Sequence, residues 1–176
     1  MANYAPSTRA RIGDLIRGMQ VDTGSLAATT YCDHTTASGQ HELYTIKGRI
    51  LLLNLFFEVI RADMSANATT MVWNATFSAS TTLTVEPIGT KCTTISALAV
   101  GHRIVWGGGV LATAATLTTT PYISDFADVT PLILGGEGGV GTIGSKAEAA
   151  TMTTGAMRCS LFYVPMSDGA YVEALV

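Results

Sequence analysis

Gly136, Gly138 and Gly141 satisfy the spacing G-x-G-x-x-G of a dinucleotide-binding turn, and the apolar run "PLIL" leads into them. In that chemistry the glycines let backbone N–H groups approach a pyrophosphate, and a helix begins at once with its positive end facing the phosphate. Here "SKAEAATMTTG" offers at most two helical turns between Ser145 and Gly155, after which "AMRCSLFYVP" reads as strand. An acid should grip the ribose about 20 residues after the glycines. Asp168 is the nearest to that range, and it sits in "SDG", a turn signal. Five glycines also crowd into Gly135 to Gly141, looser than the fingerprint requires. The sequence predicts a flexible or closely packed connection here, with no nucleotide and no other cofactor.

Cys32, Asp33, His34 and His41 are possible zinc ligands within "YCDHTTASGQH". Their spacing matches no pair-and-pair zinc pattern, and the segment reads as a polar loop, so no metal is expected. Cys32, Cys92 and Cys159 are an odd, widely spaced set that cannot form a complete internal disulfide framework. The default is small buried thiols in a reducing compartment. No G-x-S-x-G occurs, and Cys159 lies in a strand-like run with no His nearby. Asn67-Ala68-Thr69 and Asn74-Ala75-Thr76 are sequons, but "MANYAPSTRARIGDLI" lacks the pattern of a secretion signal. The residues assemble no catalytic constellation, and the chain is not read as an enzyme.

Composition points the same way. The chain has 176 residues, enough for one domain with a core. Charged residues make up 13 %, about half the usual share, against 48 % apolar. No charge occurs from Met64 to Val85 or from Ile104 to Ser124; Thr, Ala, Ser and Gly fill those tracts. Small uncharged side chains suit tightly apposed surfaces. A net charge of -3 leaves no basic footprint for nucleic acid. The longest apolar run, "ILLLNLFFEVI", is broken by Asn54 and Glu58 and is too short for a span of about 20 residues.

The elements divide at about residue 41. In "STRARIGDLIRGMQ", Ile12, Leu15, Ile16 and Met19 fall at helical spacing, with Ser7 as a possible cap. Residues 20 to 41 show no period, so residues 1–41 read as an extended arm with a short helix, followed by a linker. From 42 to 176 the pattern is β throughout: "ELYTIK", "GR" and "ILLLNLFFEVI" as a hairpin, then "TMVWNATF", "TLTVEP", "TTISALAV", "RIVW", "PLIL", "MRCSLFYV" and "AYVEAL". This series predicts an all-β antiparallel sandwich, with a jelly roll the commonest arrangement of about eight strands.

The run Ile50 to Ile60 sets the expected contacts. Strict alternation puts Leu51, Leu53, Leu55, Phe57 and Val59 on one apolar face, expected to be the core. The other face carries Ile50, Leu52, Asn54, Phe56, Glu58 and Ile60, too apolar to be left in water. A two-layer sandwich of about 135 residues has no third layer to cover it. Ile50, Leu52, Phe56, Glu58 and Ile60 are therefore expected to meet another copy.

The stretch "GAMRCSLFYVPMSDGAYVEA", with its turn "Y-x-P-x-x-D-G-A" and preceded by "PLILGGEGGVGTIGSKAEAATMTT", and the stretch "LYTIKGRILLLNLFFEV" resemble a family of small tailed-bacteriophage virion proteins. The similar parts cover somewhat under half of the chain. The resemblance implies a jelly-roll-like head decoration or cement protein that is made in the host cytoplasm. It would bind the major capsid protein on the virion exterior as a homo-oligomer, a trimer before a dimer. It transfers no catalytic residue. On this reading Ile12, Leu15, Ile16 and Met19 anchor the arm to the capsid. A tail or fibre-tip protein binding a host glycan through Trp73 or Trp106, or a β-barrel for a small ligand, are the alternatives.

Overall fold

The computed structural model describes residues 18–33, 40–61, 63–64, 70–78, 83–88, 95, 97–106, 116–118, 131–136 and 139–176. Two antiparallel sheets carry nearly all of the regular structure. The first holds β1 (Met19–Asp22), β11 (Ala156–Pro165), β4 (Ile50–Arg61), β7 (Arg103–Val105) and β8 (Thr116–Thr118) in that order. In the same sheet β2 (Leu26–Ala27) also pairs with β11, and β9 (Leu132–Leu134) with β4. The second sheet is ordered β12 (Tyr171–Ala174), β3 (His41–Lys47), β10 (Val140–Ala147), β5 (Met71–Ser78) and β6 (Leu83–Pro87).

The inner faces share one core, as a two-layer sandwich requires. Phe57 of the first sheet stacks on Trp73 of the second with centroids 5.7 Å apart. Trp106 donates its indole N–H to the Ile88 carbonyl at 2.9 Å, satisfying a buried polar group. The expected all-β sandwich is therefore the architecture. Its β1 and β12 side is closed by polar staples. The Tyr44 hydroxyl donates to the Val21 carbonyl, the Val172 N–H donates to the Tyr163 hydroxyl, and the Gly24 N–H donates to the Val176 carbonyl.

The arm is shorter than its composition suggests. Met19, expected on a helix, opens β1 opposite Tyr163. Leu26, Ala28 and Cys32, expected in a linker, lie in the core. The described helix, α1 (Ala28–Tyr31), is a single turn whose first N–H donates to the Gly155 carbonyl. Residues 18 to 33 thus belong to the sandwich, because β11 offers both of its edges to β1, β2 and β4. Ile12, Leu15 and Ile16 lie outside the described residues.

The β3–β4 unit is not a hairpin. Both strands form as expected, but they enter different sheets. Strand β10 departs more from expectation, since its glycines were expected in a flexible or closely packed connection. It pairs with β3 on one side and β5 on the other. Its glycines serve close approach: a Cβ on Gly144 would stand 2.5 Å from the His41 carbonyl oxygen.

A bulge in β4 redistributes the expected faces. Leu55 lies opposite Leu161 and Asn54 opposite Phe162, but Leu52 lies opposite Tyr163, leaving Leu53 as an extra residue. Such an insertion moves everything beyond it to the other face. Leu55, Phe57 and Val59 point inward as expected; past the bulge, Leu52 and Ile50 take the core positions and both are fully buried. These two are therefore not interface residues, and Leu51 and Leu53 are not core. Asn54 holds the bulge, its Oδ1 accepting the Leu55 N–H at 2.7 Å.

Candidate contact surface

The glycine loop is a locked crossing of turns. Gly135 has φ +81°, and a Cβ there would fall 2.1 Å from the Gly48 carbonyl oxygen. Gly48 has φ +73° and donates its N–H to the Gly139 carbonyl at 2.9 Å, and a Cβ there would fall 2.8 Å from Ser167 Oγ and 2.9 Å from the Ala170 Cβ. The Arg49 N–H donates to Ser167 Oγ at 3.0 Å, and the Met166 N–H donates to the Arg49 carbonyl at 2.8 Å. Three connections, β3–β4, β9–β10 and β11–β12, are thereby pinned together. Of the motif glycines, Gly136 faces open space, Gly141 is inside β10, and Gly138 is outside the described residues. A strand follows where a phosphate site needs a helix. The connection is the closely packed kind.

Around this end stand Ile133, Val140, Met166 and Tyr171, each 42–55 % exposed. Ile133 faces Leu51 in the first sheet, and Val140 and Tyr171 flank Lys47 in the second. The Lys47 ammonium lies 5.8 Å from the Tyr171 ring centroid. Exposed apolar groups on a stiff backbone lose little entropy on binding, which suits a contact surface.

The outer face of the first sheet continues from there. Leu51 and Leu53 are half-buried on it, as is Phe162. Phe56 stacks on Phe162 with centroids 6.1 Å apart, and the Arg103 guanidinium lies 4.9 Å over the Phe56 ring. Arg103 bonds the Glu58 carboxylate at 3.2 Å, with Arg158 at 3.7 Å from the same oxygen. On β1, Gln20 donates to both carboxylate oxygens of Asp22, at 2.9 and 3.0 Å. Of the expected interface set, Phe56 and Glu58 stay on this face, although Phe56 is only 6 % exposed and already covered; Ile60 is the extra residue of a second irregularity, between Val59 and Arg61. The sequence reading missed Arg103, Arg158 and Asp22. The alternation of Arg158, Ser160 and Phe162 against buried Met157, Cys159 and Leu161 was the signal for Arg158.

The remaining chemical candidates are taken up by the fold. Cys32 donates to Met71 Sδ at 3.6 Å, Asp33 accepts the Thr151 hydroxyl, and the His41 ring lies 5.8 Å from that of Tyr31. His34 and Cys92 are outside the described residues. Among the described residues no three His, Cys, Asp or Glu side chains are grouped for a metal. Cys159 is fully buried, and burial pushes its thiol up to about 12, far from a reactive thiolate. Trp73 and Trp106, the residues of the glycan alternative, are in the core. Among the described residues no helix is long and apolar enough to cross a membrane.

An antiparallel β-sandwich with one locked, apolar end and a mixed apolar and arginine-bearing face is the class of protein that results. Comparison of the chain with protein-family models, curated proteins and solved structures finds no match.

Proposed function

We propose that the chain is a structural virion protein, a decoration or cement protein that binds the outside of a tailed-phage head as a homo-oligomer and stabilises it. One observation carries this reading. The two stretches similar to that virion family, "LYTIKGRILLLNLFFEV" and "YVPMSDGA", lie far apart in sequence yet bond each other at the locked end, through Arg49, Met166 and Ser167. The turns of the two stretches that suggest the family therefore meet at one end of the sandwich. A cement protein works through buried area and repeated weak contacts, and a rigid apolar end meets that need without an active site. A jelly-roll connectivity, a homo-oligomer of three copies before two, and capsid anchoring by Ile12, Leu15 and Ile16 belong to the same reading, Met19 being taken up by β1.

The test uses undecorated heads. Full-length protein should co-sediment with them and raise their disruption temperature. Deleting residues 1–17, which lie ahead of β1, should leave a soluble β-rich protein with sharply weakened binding. Full decoration by the truncated protein would move the anchor from the arm to the sandwich. No binding by the full-length chain would defeat the reading.

A further inference from the structure

The outer face of the first sheet carries two charges that its own chain leaves under-compensated. Arg103 and Arg158 share one carboxylate oxygen of Glu58, and each keeps a buried Nε–H with no acceptor. Two guanidinium charges against one carboxylate leave a surplus positive charge. Arg158 is its accessible half, with 44 % of its side chain exposed. On the neighbouring strand Asp22 is exposed, and the hydrogen bonds that hold it come from the neutral amide of Gln20.

Register fixes how these charges are spaced. Asp22 lies opposite Ser160, two residues along β11 from Arg158, so the charges stand one row apart, about 7 Å along the strand. The two do not pair within the chain, where Arg158 turns to Glu58 and Asp22 to Gln20. Their spacing is the right arrangement for a pair between two chains. A two-fold axis running in the contact plane midway between them brings each Asp22 onto the other copy's Arg158, giving two ion pairs from one patch. Leu51, Leu53 and Phe162 are half-buried on the same face. The Phe56 side of the face is already covered.

We infer that this face pairs with a second copy of the chain through reciprocal Asp22–Arg158 contacts. The inference rests on the reading of the chain as an assembling protein and deepens it. A patch that meets itself closes at two, so it leads to a dimer and not to the trimer that the resemblance favours.

The experiment is a charge exchange in trans on the full chain, read by light scattering and sedimentation at micromolar concentration. Wild type should be a dimer. Asp22→Arg and Arg158→Asp should each weaken self-association by roughly tenfold or more, since each sets like charges against each other. An equimolar mixture of the two variants should recover the dimer, because both cross-contacts then join opposite charges. A repair within one chain could not produce that recovery. A monomeric wild type, a trimer indifferent to both changes, or a mixture that stays dissociated would each overturn the inference. Should Arg158→Asp fail to fold beside Glu58, Asp22→Arg on the exposed edge strand decides alone, and undiminished dimerisation overturns the inference. Head binding is read separately: a monomer that still decorates heads rejects this pairing and leaves the proposed function standing.

Discussion

Gly135 and Gly136 are neighbours with opposite structural demands. Gly135→Ala puts a methyl group into the Gly48 carbonyl at a positive φ, whereas Gly136→Ala meets nothing within 4 Å. Thermal unfolding should show the first losing at least about 1 kcal/mol and the second changing little. The sequence could show a glycine cluster. It could not show which glycine is needed, because that depends on a carbonyl contributed by residue 48. Cys159 is a second case. Burial raises its thiol from an ordinary 9.0 to about 12, and burial raises the Tyr44 phenol as well. Between those values the folded chain holds a proton that the unfolded chain has lost. The stabilisation is therefore complete below about pH 9 and falls as pH rises towards 12, by at most about 1.4 kcal/mol per pH unit for the thiol. Denaturant titrations at pH 8 and pH 10.5 should show this fall, with a shallower one in Cys159→Ala. Native Cys159 should also resist alkylation until the chain unfolds.

Truncation separates the elements. Removing residues 1–17 spares β1, but removing 1–30 deletes β1, β2, Leu26 and Ala28 together with the Thr23 hydroxyl that accepts the Cys159 N–H. The shorter deletion should keep the β circular dichroism signal; the longer one should aggregate or unfold. Composition alone had placed all of residues 1–41 outside the sandwich, because β1 and β2 are too short to show a period and gain their stability from β11. The long strands β4, β5 and β11 were legible from their apolar residues. The faces of β4 were legible only as far as the bulge: a strict period of two cannot report an inserted residue, and Ile50 and Leu52 were assigned to the wrong side for that reason. Strand β10 was hidden because glycines that let neighbouring strands approach look, in sequence, like glycines that turn a chain.

At the scale of the whole molecule, the sandwich architecture followed from strands spaced by turn residues, with no long helix intervening. The contact surfaces did not follow in the same way, since they are made by residues from opposite ends of the chain. Arg49 and Ser167, 118 positions apart, share a hydrogen bond at the locked end, and Gly48 bonds Gly139 there. This has a consequence during synthesis. While the chain is still emerging from the ribosome, Arg49 in the β3–β4 turn lacks its partners, and it gains them only when the turn after Pro165 has been made. Ribosome-bound chains stopped at residue 160 should therefore lack protection of the Arg49 amide from hydrogen exchange, whereas released full-length chains should have it. The locked end is therefore completed only once Ser167 has been made.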